Sequence, residues 1–150
     1  MFRWVAGRAR EPHWYVEGAV PDTIDGRFAM LATIAALALV RLELDEDGTE
    51  PSVALTERFV EAMEAEHREM GLGDPKLGRT VRKLVGSLAG RVGLWRSTVD
   101  RGDWAPATRQ SMYADEATAD AVAHSAASLQ ELWVRLTSEP LDDVAAGRIE

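Results

Sequence analysis

The chain has 150 residues, the size of one domain with a core of its own. Apolar residues make up 46% and cysteine is absent; this is a globular composition that excludes disulfides, zinc–thiolate sites, iron–sulfur clusters and cysteine nucleophiles. Lys+Arg 17 against Asp+Glu 25 gives a net charge of −8, so no direct nucleic-acid binding is expected.

Residues 1–12 open with MFRWVAGRAR, which has the arginines of a signal peptide but no apolar stretch after them, and is read as mature sequence. Phe2, Trp4 and Val5 against Arg3, Arg8 and Arg10 suggest a flexible or amphipathic segment. It has two uses: touching a membrane surface, or docking its tryptophan on the core. Residues 13–137 are assigned to one helical domain. Val20-Pro21-Asp22-Thr23 signals a helix start, and the helix runs to about Leu44. Its apolar run Phe28–Val40 covers thirteen residues, which at 1.5 Å per residue reach only about 20 Å, short of a bilayer core. Arg27 and Arg41 close it on both sides. A central helix buried nearly all round is the reading.

Asp45 to Pro51 is a polar turn. Ser52 is placed as N-cap of a second helix, Val53 to Met70, with Phe59, Val60, Met63 and Met70 inward. Glu57, Glu61, Glu64 and Glu66 take its wet side, and Gly71 sits where a left-handed residue ends a helix. Asp74 as N-cap and Pro75 as first residue start a third helix, with an apolar stripe from Leu77 to Val99. Asp100 to Ala114 reads as an irregular connection. Asp115 or Thr118 opens a further helix with Val122, Leu129, Leu132, Trp133 and Leu136 inward. Residues 138–150 are expected to fray, with room for one helical turn after Pro140. The fold class is all-α, a single domain of four to five packed helices with no β-sheet.

The charge is segregated. Glu43 to Glu69 carries ten acids and two bases, whereas Lys76 to Arg101 carries seven bases and one acid. The two helices either neutralise each other or present the basic one to an acidic partner. On the third helix Arg79, Arg82, Lys83, Gly86, Gly90 and Gly93 gather on the side opposite the apolar stripe. Interior glycines cost a helix roughly 1 kcal/mol each relative to alanine. Such a face lets another backbone approach closely, and either the alanine-rich central helix or a partner could fill it.

Catalytic patterns are missing. Of the three histidines, His13, His67 and His124, only His67 completes a Glu-x-x-His unit, Glu64-x-x-His67, and that unit has no mate. No nucleophile elbow, phosphate-binding lysine loop or dinucleotide fingerprint is present. The Asp22/Asp25 pair suits capping and ion pairing better than acid–base work. No enzyme, no cofactor and no metal are expected.

Three stretches carry a resemblance. Trp14-Tyr15 with VPDTIDGRF (Val20–Phe28), EMGLGDPKLGRTVRK (Glu69–Lys83) and RQSMY (Arg109–Tyr113), in this order, resemble the ubiquinol–cytochrome c chaperone family. The resemblance spans about His13 to Leu136 and matches a short bacterial form. By position, Asp22, Asp25, Gly26, Arg27 and Phe28 match the first motif. Met70, Gly71, Gly73, Asp74, Gly78, Val81 and Lys83 match the second, and Tyr113 the third. Ala29 stands where the family often has an acid, and Gln110 where asparagine is common.

The resemblance implies an all-α chaperone without cofactors that binds newly made cytochrome b or a small assembly subunit during biogenesis of the bc1 complex. It would act near the ribosome or membrane surface, in the cytoplasm or at the inner face of the membrane. An apolar groove with a basic rim is expected to bind the partner, through Gly73, Asp74, Arg79, Arg82, Lys83, Gly86 and Gly90. The alternative is a helical lipid- or quinone-binding module, which requires a closed apolar pocket lined by tryptophan and methionine.

Overall fold

A computed structural model describes residues 1–114 and 116–150. Among the described residues there are seven α-helices and no strand: α1 (Phe2–Ala9), α2 (Ile24–Glu43), α3 (Thr49–Glu69), α4 (Asp74–Arg101), α5 (Trp104–Met112), α6 (Ala119–Ser138) and α7 (Leu141–Ala146). The fold class holds, and the count exceeds the expected four to five. The surplus lies in the short elements α1, α5 and α7.

The central helix is α2. Met30 and every residue from Ala32 to Leu42 are buried, and α2 touches each of the other six helices. Small alanines at 32, 35, 36 and 38 let the neighbours pack close on all sides, and the larger Ile34, Leu37 and Leu42 fill the space between them. Thr23 caps its start by accepting from the Gly26 amide at 3.1 Å. Arg41 is nearly buried, and its Nε and Nη2 donate to the carbonyls of Leu136 and Glu139, each at 2.8 Å. Those carbonyls belong to the last turn and C-cap of α6, so the arginine fastens that end to α2.

Both termini pack. In residues 1–12, α1 lays Val5 and Ala9 against the core, and the indole of buried Trp14 donates to the Arg8 carbonyl at 2.8 Å. Residues 138–150, expected to fray apart from one helical turn after Pro140, contain α7 at that place, with Val144 and Ile149 buried.

Three local expectations need correction. The second predicted helix begins at Thr49 behind Gly48, and the Ser52 hydroxyl donates back to the Gly48 carbonyl at 2.7 Å instead of capping. Gly73 is the N-cap of α4, with Asp74 as its first residue, one position earlier than expected. The stretch taken as irregular after Asp100 contains α5: Pro106 sits in the first turn, where no intrahelical amide is needed. Of the two starts considered for the next helix, Thr118 caps α6 by accepting from the Ala121 amide at 3.1 Å; Asp115 lies outside the described residues.

Candidate partner-binding face

Helices α3 and α4 form a hairpin around Gly71, whose φ of 89° is left-handed and ends α3 as expected. Leu77 and Val81 of α4 are buried but lie outside the contiguous core cluster. The hairpin therefore has its own small apolar seam near the turn. His67 on α3 is buried too, with Nδ1 at 2.8 Å from the Met63 carbonyl. Among the described residues no group of three or more His, Asp or Glu is arranged to hold a metal ion.

The outer side of α4 carries the residues singled out by the sequence. Arg79, Arg82 and Lys83 are exposed, as are Gly86, Gly90 and Gly93. A Cβ added at any of the three glycines meets no atom within 4 Å. The central helix does not fill this face; α2 packs on the opposite, apolar stripe. Among the described residues none of the three cations forms an ion pair, and none joins α3 to α4. Among the described residues the one ion pair from α4 to another helix is Arg96 to Glu43 of α2, at 2.9 and 2.7 Å. Mutual neutralisation of the acidic and basic helices by direct pairing is thus not what this structure shows.

A second feature escaped the sequence reading. Ser111 of α5 bonds the Thr33 hydroxyl at 2.6 Å and accepts from the Trp95 indole at 3.1 Å. Its carbonyl accepts from Nε and Nη2 of Arg91 at 3.1 and 2.9 Å. The Arg91 guanidinium also lies 5.6 Å from the centroid of the Phe28 ring. No carboxylate balances Arg91 among the described residues, and burial lowers its pKa. This node ties α2, α4 and α5 together. Its only sequence signal was Ser111 within RQSMY.

Two open grooves mark the surface. One, about 860 Å³, lies between α5 and α6 with Pro106, Arg109, Tyr113, Val122 and Ala123 in its walls. The other is a shallow, open strip on the face of α3 alone, past Val53, Thr56, Glu57, Val60, Glu61 and Glu64. Neither is the closed pocket lined by tryptophan and methionine that a lipid or quinone site requires. Trp14, Trp95, Trp104, Met30, Met63 and Met112 are instead spent on the core. Among the described residues no helix is long and apolar enough to cross a membrane.

A family model described as ubiquinol-cytochrome C chaperone matches residues 17–148. The chain belongs to the ubiquinol–cytochrome c chaperone family. The crystal structure of the Cbp3 homolog from Brucella abortus is similar to it, with a TM-score of 0.86 and 25% identity over 99% of this chain and 84% of that one. No curated protein matches it.

The family motifs have separate physical roles in this chain. In the first, Asp22 accepts from Arg27 at 2.6 Å on the surface, and this pairing raises the arginine's pKa. Asp25 is exposed in the first turn of α2, where a carboxylate favours the helix dipole. Gly26 is required because a Cβ would run into the Pro21 carbonyl. Phe28 packs beside Phe59, with ring centroids 6.1 Å apart. In the third motif the Tyr113 hydroxyl donates to the Gly18 carbonyl at 2.5 Å and bonds Ser125 at 2.9 Å, and burial raises its pKa. The second motif behaves differently. Met70, Gly73 and Asp74 are exposed at the hairpin turn, and Gly78 is half-buried beside Arg82.

Proposed function

We propose that this chain is a non-enzymatic assembly chaperone that holds newly made cytochrome b, or a small assembly subunit, during biogenesis of the bc1 complex. It acts in the cytoplasm at the inner face of the membrane. Family membership supports the class of function. One observation supports the binding surface: three interior glycines share the exposed side of α4 with three cations that form no ion pair among the described residues. Such glycines weaken a helix by roughly 1 kcal/mol each, and no packing inside the fold offsets that cost. A partner backbone pressed against the ridge does. Arg79, Arg82 and Lys83 orient the partner, and Gly86 and Gly90 admit it, with Gly73 and Asp74 at the rim.

The test is recovery of bound proteins from native membranes by the tagged chain and by an Arg79→Glu/Arg82→Glu/Lys83→Glu variant. Cytochrome b or a small partner should come down with the first and be lost from the second, whose circular dichroism stays helical. Equal recovery by both moves the binding surface away from α4. A bound lipid and no protein, seen by native mass spectrometry, overturns the chaperone reading.

A further inference from the structure

The groove along α3 has no role in the function proposed above. Its floor is apolar, with Val53 half-exposed at 50% and Val60 partly buried. Glu57, Glu61 and Glu64 follow one another along it at four and three residues, the spacing at which like charges on a helix repel. Among the described residues only Glu61 has a cation nearby, Arg58 at 3.7 Å, and both side chains of that pair are about two-thirds exposed. The groove is therefore an apolar strip in an unneutralised negative field, complementary to a helix that offers positive charge and little side-chain bulk.

The exposed ridge of α4 has that chemistry. It also has the right length and register. Val53 to Glu64 and Arg79 to Gly90 each span eleven steps along a helix, about 16 Å. The hairpin turn lies between Glu69, the last residue of α3, and Asp74, the first of α4. Counting outward equally from those two ends pairs Glu64 with Arg79, Glu61 with Arg82, Glu57 with Gly86 and Val53 with Gly90. A two-fold axis parallel to the hairpin preserves these heights, so where both faces turn to that axis α3 of one copy meets α4 of another in this register, with the reverse contact formed at the same time. Glutamates then face arginines near the turn, and valine faces glycine further along.

We infer that the α3 groove receives the α4 ridge of a second copy of this chain, giving a reciprocal dimer held by the two hairpins. The dimer covers the surface proposed for the chaperone's partner, so partner and second copy compete for it. The inference stands apart from the choice of partner, because it concerns the purified chain alone.

Sedimentation velocity across a micromolar concentration series tests it. The 16.5 kDa chain should pass from monomer to dimer, and the dissociation constant should rise at least tenfold from low to half-molar salt. Glu61→Lys/Glu64→Lys and Arg79→Glu/Arg82→Glu should each remain monomeric. Mixed in equal amounts, they should form a heterodimer, since every like-charge contact then becomes an opposite one. A chain that stays monomeric throughout overturns the inference, as does a dimer indifferent to these substitutions, or association that continues past two copies. The acidic-groove variant keeps the α4 ridge, so it should still recover the partner from membranes. Loss of the dimer with retained capture therefore separates this inference from the proposed function.

Discussion

Replacing Gly86, Gly90 and Gly93 together by alanine should make the protein more stable and a poorer chaperone. All three lie inside α4, away from its ends and with no left-handed backbone, and a Cβ at each meets nothing within 4 Å. The substitution therefore removes the entropic disadvantage of glycine without adding a clash. At roughly 1 kcal/mol per site for an exposed helix interior, the sum is roughly 2–3 kcal/mol. For a domain of this size that corresponds to a rise in melting temperature of roughly 5–10 °C. Urea unfolding followed by circular dichroism reads it as a higher midpoint at unchanged m. Destabilisation would refute the reasoning, because it would mean that the fold itself needs the bare ridge. Stabilisation with undiminished recovery of partner from membranes would refute the other half, that a backbone must come close there.

Ser111→Ala removes the partner of two buried groups, the Thr33 hydroxyl and the Trp95 indole, and should cost about 2–3 kcal/mol in urea unfolding; a loss near zero would mean that water replaces the serine. Arg41→Met keeps the buried stem but frees the Leu136 and Glu139 carbonyls and Asp45. It should cost about 2–4 kcal/mol and raise amide exchange at the α6–α7 junction before elsewhere. His13 Nδ1 stands 3.0 Å from His124 Nε2, and burial first, then the neighbouring histidine, lowers its pKa below 6.5, with Glu11 and Glu17 opposing. The unfolded chain therefore takes up this proton first, so stability should fall as pH drops from about 7 to 5. His13→Gln should give a shallower fall of the thermal midpoint over the same range.

The central helix was legible because its signal is compositional. An apolar run too short for a bilayer and bracketed by Arg27 and Arg41 has no place except the core. The hairpin was legible too, from Gly71 and the Asp74-Pro75 start. The short helices were not. Pro106 reads as a breaker, and nothing local says that it falls in a first turn, where its missing amide is harmless. The fate of α7 depends on its packing against α2 with Val144 buried, and that has no periodic signature in six residues. The polar node was hidden for the opposite reason: Thr33, Arg91 and Ser111 are remote in sequence and ordinary in type, and only folding brings them together. The bare α4 face could be read from the sequence as a pattern, but not as to what covered it, since helical periodicity says which residues share a side and not what packs against it.

One physical criterion sorts the motif residues that the sequence can only group together: whether a residue's chemistry is satisfied inside its own chain. Gly26 answers to the Pro21 carbonyl, Phe28 to Phe59 and Arg91, and Tyr113 to Gly18 and Ser125. Gly71 answers to its own backbone. Arg79, Arg82 and Lys83 answer to nothing within the described residues. Substitution in the first group acts on the fold and only through it on binding. Substitution in the second leaves an exposed surface with altered charge, where stability effects usually stay within about 0.5 kcal/mol. A loss of partner capture without loss of melting temperature can therefore come from the α4 face and its exposed rim at Met70, Gly73 and Asp74, and not from Gly26, Phe28, Gly71 or Tyr113.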